Sequence, residues 1–147
     1  MARYAGGART TNAPTATLPG LSLYSIASIE LFVVQVEVYN TTTTACAVSL
    51  AAFTSAGTPG TGLTEAKHNP NTPTPNGTLF QSHTSTPPTL AFDALESAEV
   101  GAAIGAGVIW TFHDKPIIVQ PGTANGIGIL CPVGTGQICR VHFIWDE

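Results

Sequence analysis

Apolar and polar residues alternate with a period of two through most of the patterned segments, and the three-to-four spacing of an amphipathic helix is nearly absent. In IELFVVQVEVYN, residues 29–40, Phe32, Val34, Val36 and Val38 share one face, and the buried part of the strand is expected to begin after Glu30. The next run, ACAVSLAAF, sets Cys46, Val48 and Leu50 against Ala47, Ser49 and Ala51, and the short polar break between the two runs predicts a hairpin. Farther along, GTLFQSH, GVIWTF, PIIVQ, NGIGILCP and ICRVHFIWDE predict further strands, with HDKP, PGTA and VGTGQ as the turns. In the last strand Cys139, Val141, Phe143 and Trp145 lie on one face, with Ile138, Arg140, His142 and Ile144 on the other. One helical turn or two is expected around Asp93–Ala98, where glycines and small residues prevent anything longer.

Some seven or eight strands in a chain of 147 residues predict a single all-β domain, a jelly roll or related β-sandwich. Residues 1–20, MARYAGGARTTNAPTATLPG, are too poor in large apolar side chains to fold alone and read as an extended N-terminal arm. The sandwich then occupies 21–147, with a Pro/Thr-rich excursion at about 55–88 that faces a partner or decorates the surface. His113, Asp114 and Lys115, in FHDKPI, are expected to crown a hairpin at one end of the sandwich.

Threonine, at 21 residues, outnumbers the fourteen charged side chains, and such a weakly repelling surface suits a subunit of a large assembly. The net charge of −4, without a basic cluster, argues against nucleic-acid binding. Long uncharged runs such as 38–64 and 116–139 are broken by Gly, Pro and Thr, so no membrane span is expected. Residues 1–20 lack the apolar core of a secretory signal. Cys46, Cys131 and Cys139 have neither CxxC nor zinc-ligand spacing and read as buried thiols of a protein assembled in a reducing cytoplasm. A hairpin centred on Thr135 would place Cys131 opposite Cys139, although a bridge is not the expected state.

Candidate chemistry is sparse. His68 and His83 read as solvated loop residues, and His142 beside Arg140 reads as a surface or interface residue. No closely spaced His pair with a following Glu suggests a metal barrel, and no GxSxG elbow marks a nucleophile. Glu96 and Glu99 read as a solvated pair, and GAAIGAG at 101–107 lacks the ending and flanking elements of a phosphate loop. The expectation is therefore a binding or structural module rather than an enzyme, with no catalytic residue, metal or cofactor.

The phrases VYNTTTTACAVSLAAFTSAGTPGTGLTE, GAAIGAGVIWTF, IIVQPGTANGIGI, GTGQ and a terminal WDE, in that order, resemble a family of small tailed-bacteriophage proteins encoded among virion genes. The resemblance spans roughly Leu23 to Glu147 and departs at FHDKPI and CPVGTGQIC. It implies a structural protein of the phage particle: a jelly-roll decoration protein that docks as a homotrimer on the outside of the head, against the major capsid protein. On that reading Arg3, Tyr4 and Arg9 contact the partner through the arm, and His113, Asp114 and Lys115 contact it from their exposed tip. Trp110, Trp145 and Phe143 are expected in the core or at an oligomer interface. The alternative is a tail, baseplate or fibre component, or a knob whose loop around Lys67–His83, with Phe80, recognises a host glycan.

Overall fold

The computed structural model describes residues 1–122 and 124–147, apart from the side chain of Asp93. Thr123, inside the expected turn Pro121–Ala124, lies outside the described residues, as does the Asp93 side chain at the start of the expected helical turn. No helix occurs among the described residues; the elements are β1 (Arg3–Arg9), β2 (Leu21–Tyr24), β3 (Leu31–Asn40), β4 (Cys46–Phe53), β5 (Thr61–Gly62), β6 (Ala66–Lys67), β7 (Thr78–Gln81), β8 (Leu90–Val100), β9 (Gly107–Thr111), β10 (Ile117–Val119), β11 (Gly126–Leu130) and β12 (Cys139–Asp146).

One sheet runs β10-β3-β12-β1-β6, with β9 also on β3, and the other runs β5-β7-β2-β11-β4-β8. The long-range pairs are nested: β4 with β8, β3 with β9 and β10, β2 with β11, and β1 with β12. A chain doubled back into one antiparallel ribbon, whose successive pairs fall in alternate sheets as it rolls up, is a jelly roll. The expected all-β sandwich is therefore present, with β5, β6 and β7 inserted between β4 and β8. Its core lies between the sheets, where Leu21, Leu23, Val36, Val38, Leu50, Ile127, Ile129, Phe143 and Trp145 are buried.

The excursion closes a second apolar layer. Tyr24, Ala51, Phe53 and Leu130 form a separate buried cluster, with Ala56 and Phe80 packed on it. The alternation in NGIGIL explains how the rings fit. Ile127 and Ile129 are buried in the main core, whereas a Cβ on Gly126 would fall 2.3 Å from the Tyr24 ring and one on Gly128 2.8 Å from Phe53. Aromatic rings thus lie directly on glycine backbone. Tyr24 also meets Phe80 edge-on at 6.1 Å.

Several expectations are corrected. Residues 3–9 are not an extended arm: β1 pairs with β12 from Arg3↔Asp146 to Arg9↔Arg140 and carries β6 on its other side. Tyr4, 2% exposed, fills the core beside Trp145 at a ring separation of 6.0 Å, which outweighs the low strand propensity of the glycines around it. Asp93–Ala98 is strand, within β8, because Val100, Ala98 and Glu96 register against Cys46, Val48 and Leu50. The β3–β4 and β11–β12 connections are not hairpins but arches that cross between the sheets. The polar break after β3 is long enough to cross because Asn40 holds it: its Nδ2 donates to Thr44 O at 2.6 Å and Gly101 O at 3.0 Å, while its Oδ1 accepts from Thr42 N at 2.9 Å. Gly105, at φ +87°, returns its N–H to Asn40 O at 2.8 Å.

Within β3 the expected face changes partway. Gln35 pairs with Ile144 but Val33 with Trp145, so Val34 is an extra residue, a β-bulge, and Leu31 and Val33 rather than Phe32 point inward. This bulge also explains FHDKPI. β9 and β10 are not the arms of a hairpin; both run along the same edge of β3, pairing at Gln35↔Thr111 and then at Val33↔Ile117. Phe112 N donates to Val34 O at 2.8 Å, and the next four residues loop out of one interrupted strand.

Candidate interaction surface

Strand β8 ends one sheet, and β9–β10 end the other, on the same flank of the sandwich. The β8 ladder shifts register between Leu50 and Ala52, so β8 bends away from β4 where Asp93–Leu95 are inserted. This opens a cleft of about 240 Å³ whose lining includes Phe53, Phe92, Leu95, Ile117, Ile118 and Ile127. Of the lining residues Phe92 is 65% exposed, and Leu95 and Ile118 are also exposed; outside the cleft, Leu90 at the start of β8 and Ile109 on β9 are exposed as well. Trp110 is half-buried on the same flank and packs against the core edge. Exposed large apolar side chains gathered beside a cleft make this flank the candidate interaction surface of the molecule.

His113, Asp114 and Lys115 are exposed on the loop that interrupts this edge. They border the apolar flank rather than crown an end of the sandwich, and a charged bulge also keeps an edge strand from pairing indiscriminately. Because all three side chains are solvated, replacing them together with Ser is expected to change stability by no more than about 0.5 kcal/mol. Urea denaturation checks this, and a collapse of the fold would show that the loop shapes the edge.

The other expected contact residues lie at the far side of the sheet. Arg3 is engaged within the chain, its Nε and Nη2 donating to the two Asp146 carboxylate oxygens at 2.8 Å each. Hydrogen bonding to Asp146 raises the Arg3 pKa further. Tyr4 is buried and donates to Pro73 O at 3.1 Å, so it is not available to a partner. Arg9 is exposed and stands directly opposite Arg140. Trp145 and Phe143 are core residues at 0% exposure, and the Trp145 Nε1 donates to Glu147 Oε1 at 3.0 Å. The same carboxylate accepts from Asn76 N and Gly77 N, pinning the excursion to the last residue of the chain.

Family models yield no match to this chain, and neither curated proteins nor solved structures match it.

Two buried polar groups escaped the sequence reading. His83 is not a solvated loop residue: it is 3% exposed, and its Nε2 shares a hydrogen bond of 2.8 Å with Ser22 Oγ. The pair resembles a nucleophile and its base only in distance, since both residues are buried and His83 Nδ1 has no partner to orient it. Beside it Ser82 adopts φ +57°, and its Oγ accepts from Thr11 N and Asn12 N at 3.0 Å each, tying residues 10–20 to β7. Burial lowers the His83 pKa, so the unfolded chain takes up a proton first as pH falls. Stability contributed by neutral His83 is therefore present above the unfolded value of about 6.5 and is lost as pH drops below it. His83→Gln is expected to flatten the decline in urea midpoint between about pH 7 and pH 5; an unchanged slope would locate the sensitivity elsewhere.

The three cysteines are buried free thiols, as expected. Burial, reinforced by the nearby Cys46, pushes Cys139 up to about 12, and burial likewise raises Cys46 and Cys131.

Proposed function

We propose that this protein is a structural component of a phage particle, docking as a homotrimer on the outer surface of the head against the major capsid protein and stabilising the shell. The observation that carries this reading is the open apolar flank of β8, β9 and β10, on a jelly-roll architecture that viral capsid domains also use. A surface of this kind is stable in water when covered, which is the condition of a subunit in an assembly. The resemblance of its phrase order to small virion proteins, read from the sequence, also supports this reading; fold alone would not, since lectins use jelly rolls too. A decoration protein stabilises the shell by binding the assembled lattice more tightly than loose subunits, and three linked copies multiply modest contacts. His113, Asp114 and Lys115, beside the apolar flank, are the proposed contacts with the shell, together with Arg9.

Sedimentation of the purified protein with empty heads tests the reading. Saturable co-migration with heads is expected. Protein that stays behind when heads pellet, but travels with tails or binds a glycan array, would overturn it in favour of a tail component or receptor-binding knob.

A further inference from the structure

Two of the buried thiols face each other across the core. Cys46 opens β4 and Cys139 opens β12, in opposite sheets, and both side chains point inward, with Val48 and Leu50 on one strand and Val141 and Phe143 on the other. They also stand at the same level. Cys139 registers against Asn40, whose Nδ2 donates to Thr44 O at 2.6 Å and to Gly101 O at 3.0 Å. Cys46 follows Thr44 by two residues, and its own ladder partner is Val100, next to Gly101. The Asn40 amide thus holds both cysteine-bearing strands at one corner of the sandwich. There the thiols adjoin: Gln137 O accepts from Cys139 Sγ at 3.3 Å and also lies against the Cys46 thiol, which meets that of Cys139.

Cys131 is placed differently. It is buried just after β11 but lies outside the apolar cluster that Cys46 and Cys139 share, and its Sγ donates to Val133 O at 3.2 Å. Of the facing pair, Cys46 is the one reached from solvent. It lines a surface depression with Ala47, Glu99, Val133 and Thr135, whereas Cys139 is fully buried. A small oxidant therefore meets Cys46 first, with Cys139 behind it.

We propose that Cys46 and Cys139 form a reversible disulfide within one chain when the folded protein meets hydrogen peroxide. In the first step the deprotonated Cys46 sulfur attacks a peroxide oxygen and the O–O bond breaks. The hydroxide released takes the Cys46 proton as water, and Cys46 becomes a sulfenic acid. In the second step the Cys139 sulfur attacks the Cys46 sulfur, the S–O bond breaks, and hydroxide leaves with the Cys139 proton as a second water. Two thiols thus lose two electrons, and one peroxide is reduced to two waters. Burial favours the protonated thiols, which slows the first step and lets the chain fold before it is oxidised. The bridge joins the two sheets where the arches cross and closes a long loop, so a chain folded in a reducing compartment is locked on passing to an oxidising one.

The test treats the reduced full chain with hydrogen peroxide, then unfolds and alkylates it, and reads the product by intact mass and fragmentation. One alkyl group is expected, on Cys131, in a single-chain band on a non-reducing denaturing gel. The melting temperature is expected to rise by roughly 10 °C and to return with dithiothreitol. Cys131→Ala is expected to show the same rise, and Cys139→Ala none. Three alkyl groups, a label on Cys46 or Cys139 in place of Cys131, a bridge between two chains, or a sulfinic acid on Cys46 without a bridge would each overturn the proposal. The label is located on the wild-type chain, so the result is decided even where Cys139→Ala does not fold. The bridge does not rest on the virion reading, and head binding is measured separately by sedimentation.

Discussion

Deleting residues 2–20 is expected to abolish the cooperative fold rather than release a dispensable arm. β1 lies between β12 and β6, and removing it would strip one side of β12 along the whole register from Arg3↔Asp146 to Arg9↔Arg140. Each backbone hydrogen bond lost there is worth about 0.5–1.5 kcal/mol net, and burial of Tyr4 adds a term of about 1.5–3 kcal/mol. The deletion also removes Gly20 N to Ile129 O, Cys131 N to Thr15 O and the donors that Ser82 Oγ accepts. Together these losses match the entire stability of about 5–15 kcal/mol that a domain of this size has. Thermal melting followed by circular dichroism is the measurement. A truncated protein that melts cooperatively near the wild-type temperature would show that β1 is peripheral.

The reason β1 reads as an arm illustrates what local pattern carries. β12 was legible to the residue, because Cys139, Val141, Phe143 and Trp145 alternate with polar or smaller neighbours and every one is buried. β1 has only Tyr4 as a large apolar residue, and its strand state is imposed by a partner at the other end of the chain. The two arches were illegible for a related reason: the residues on either side of a short polar break are strands in both a hairpin and an arch, and only the sheet each joins distinguishes them. β8 hid behind alanine and glutamate, which favour helix intrinsically but here sit on an edge where charge is tolerated. The bulge at Val34 could not be seen from β3 alone, since it is defined by the register of Ile144 and Trp145. The apolar flank depends on that same tertiary arrangement: Phe92 and Leu95 on β8 are far in sequence from Ile118 on β10 and join it as one surface only when the two strands end their sheets together.

Asn40→Ala is expected to cost about 2–4 kcal/mol, a large loss for truncation of one polar side chain. The side chain is fully buried, and its amide satisfies the carbonyls of Thr44 and Gly101 while its oxygen takes both the N–H and the hydroxyl of Thr42. Alanine would leave two carbonyls and a backbone N–H without these partners at an end of the sandwich where the backbone also pairs Asn40 with Gly105 and Ala106. Asn40→Asp would be worse, because it keeps the acceptor but turns the donor into a second acceptor facing two carbonyls, and buries charge. Thr43, exposed in the same arch, is the control: Thr43→Ala is expected to stay within about 0.5 kcal/mol of wild type. Urea midpoints at constant slope decide the comparison. The loss also bears on topology, since the polar break between β3 and β4 would accept a hairpin, whereas the hydrogen bond from Asn40 to Gly101 O ties that corner to a distant segment of the chain. If Asn40→Ala left the midpoint where it was, the crossing between sheets would have to be held by core packing of Val38 and Cys46 alone, and the corner would be a consequence of the jelly roll instead of one of its causes.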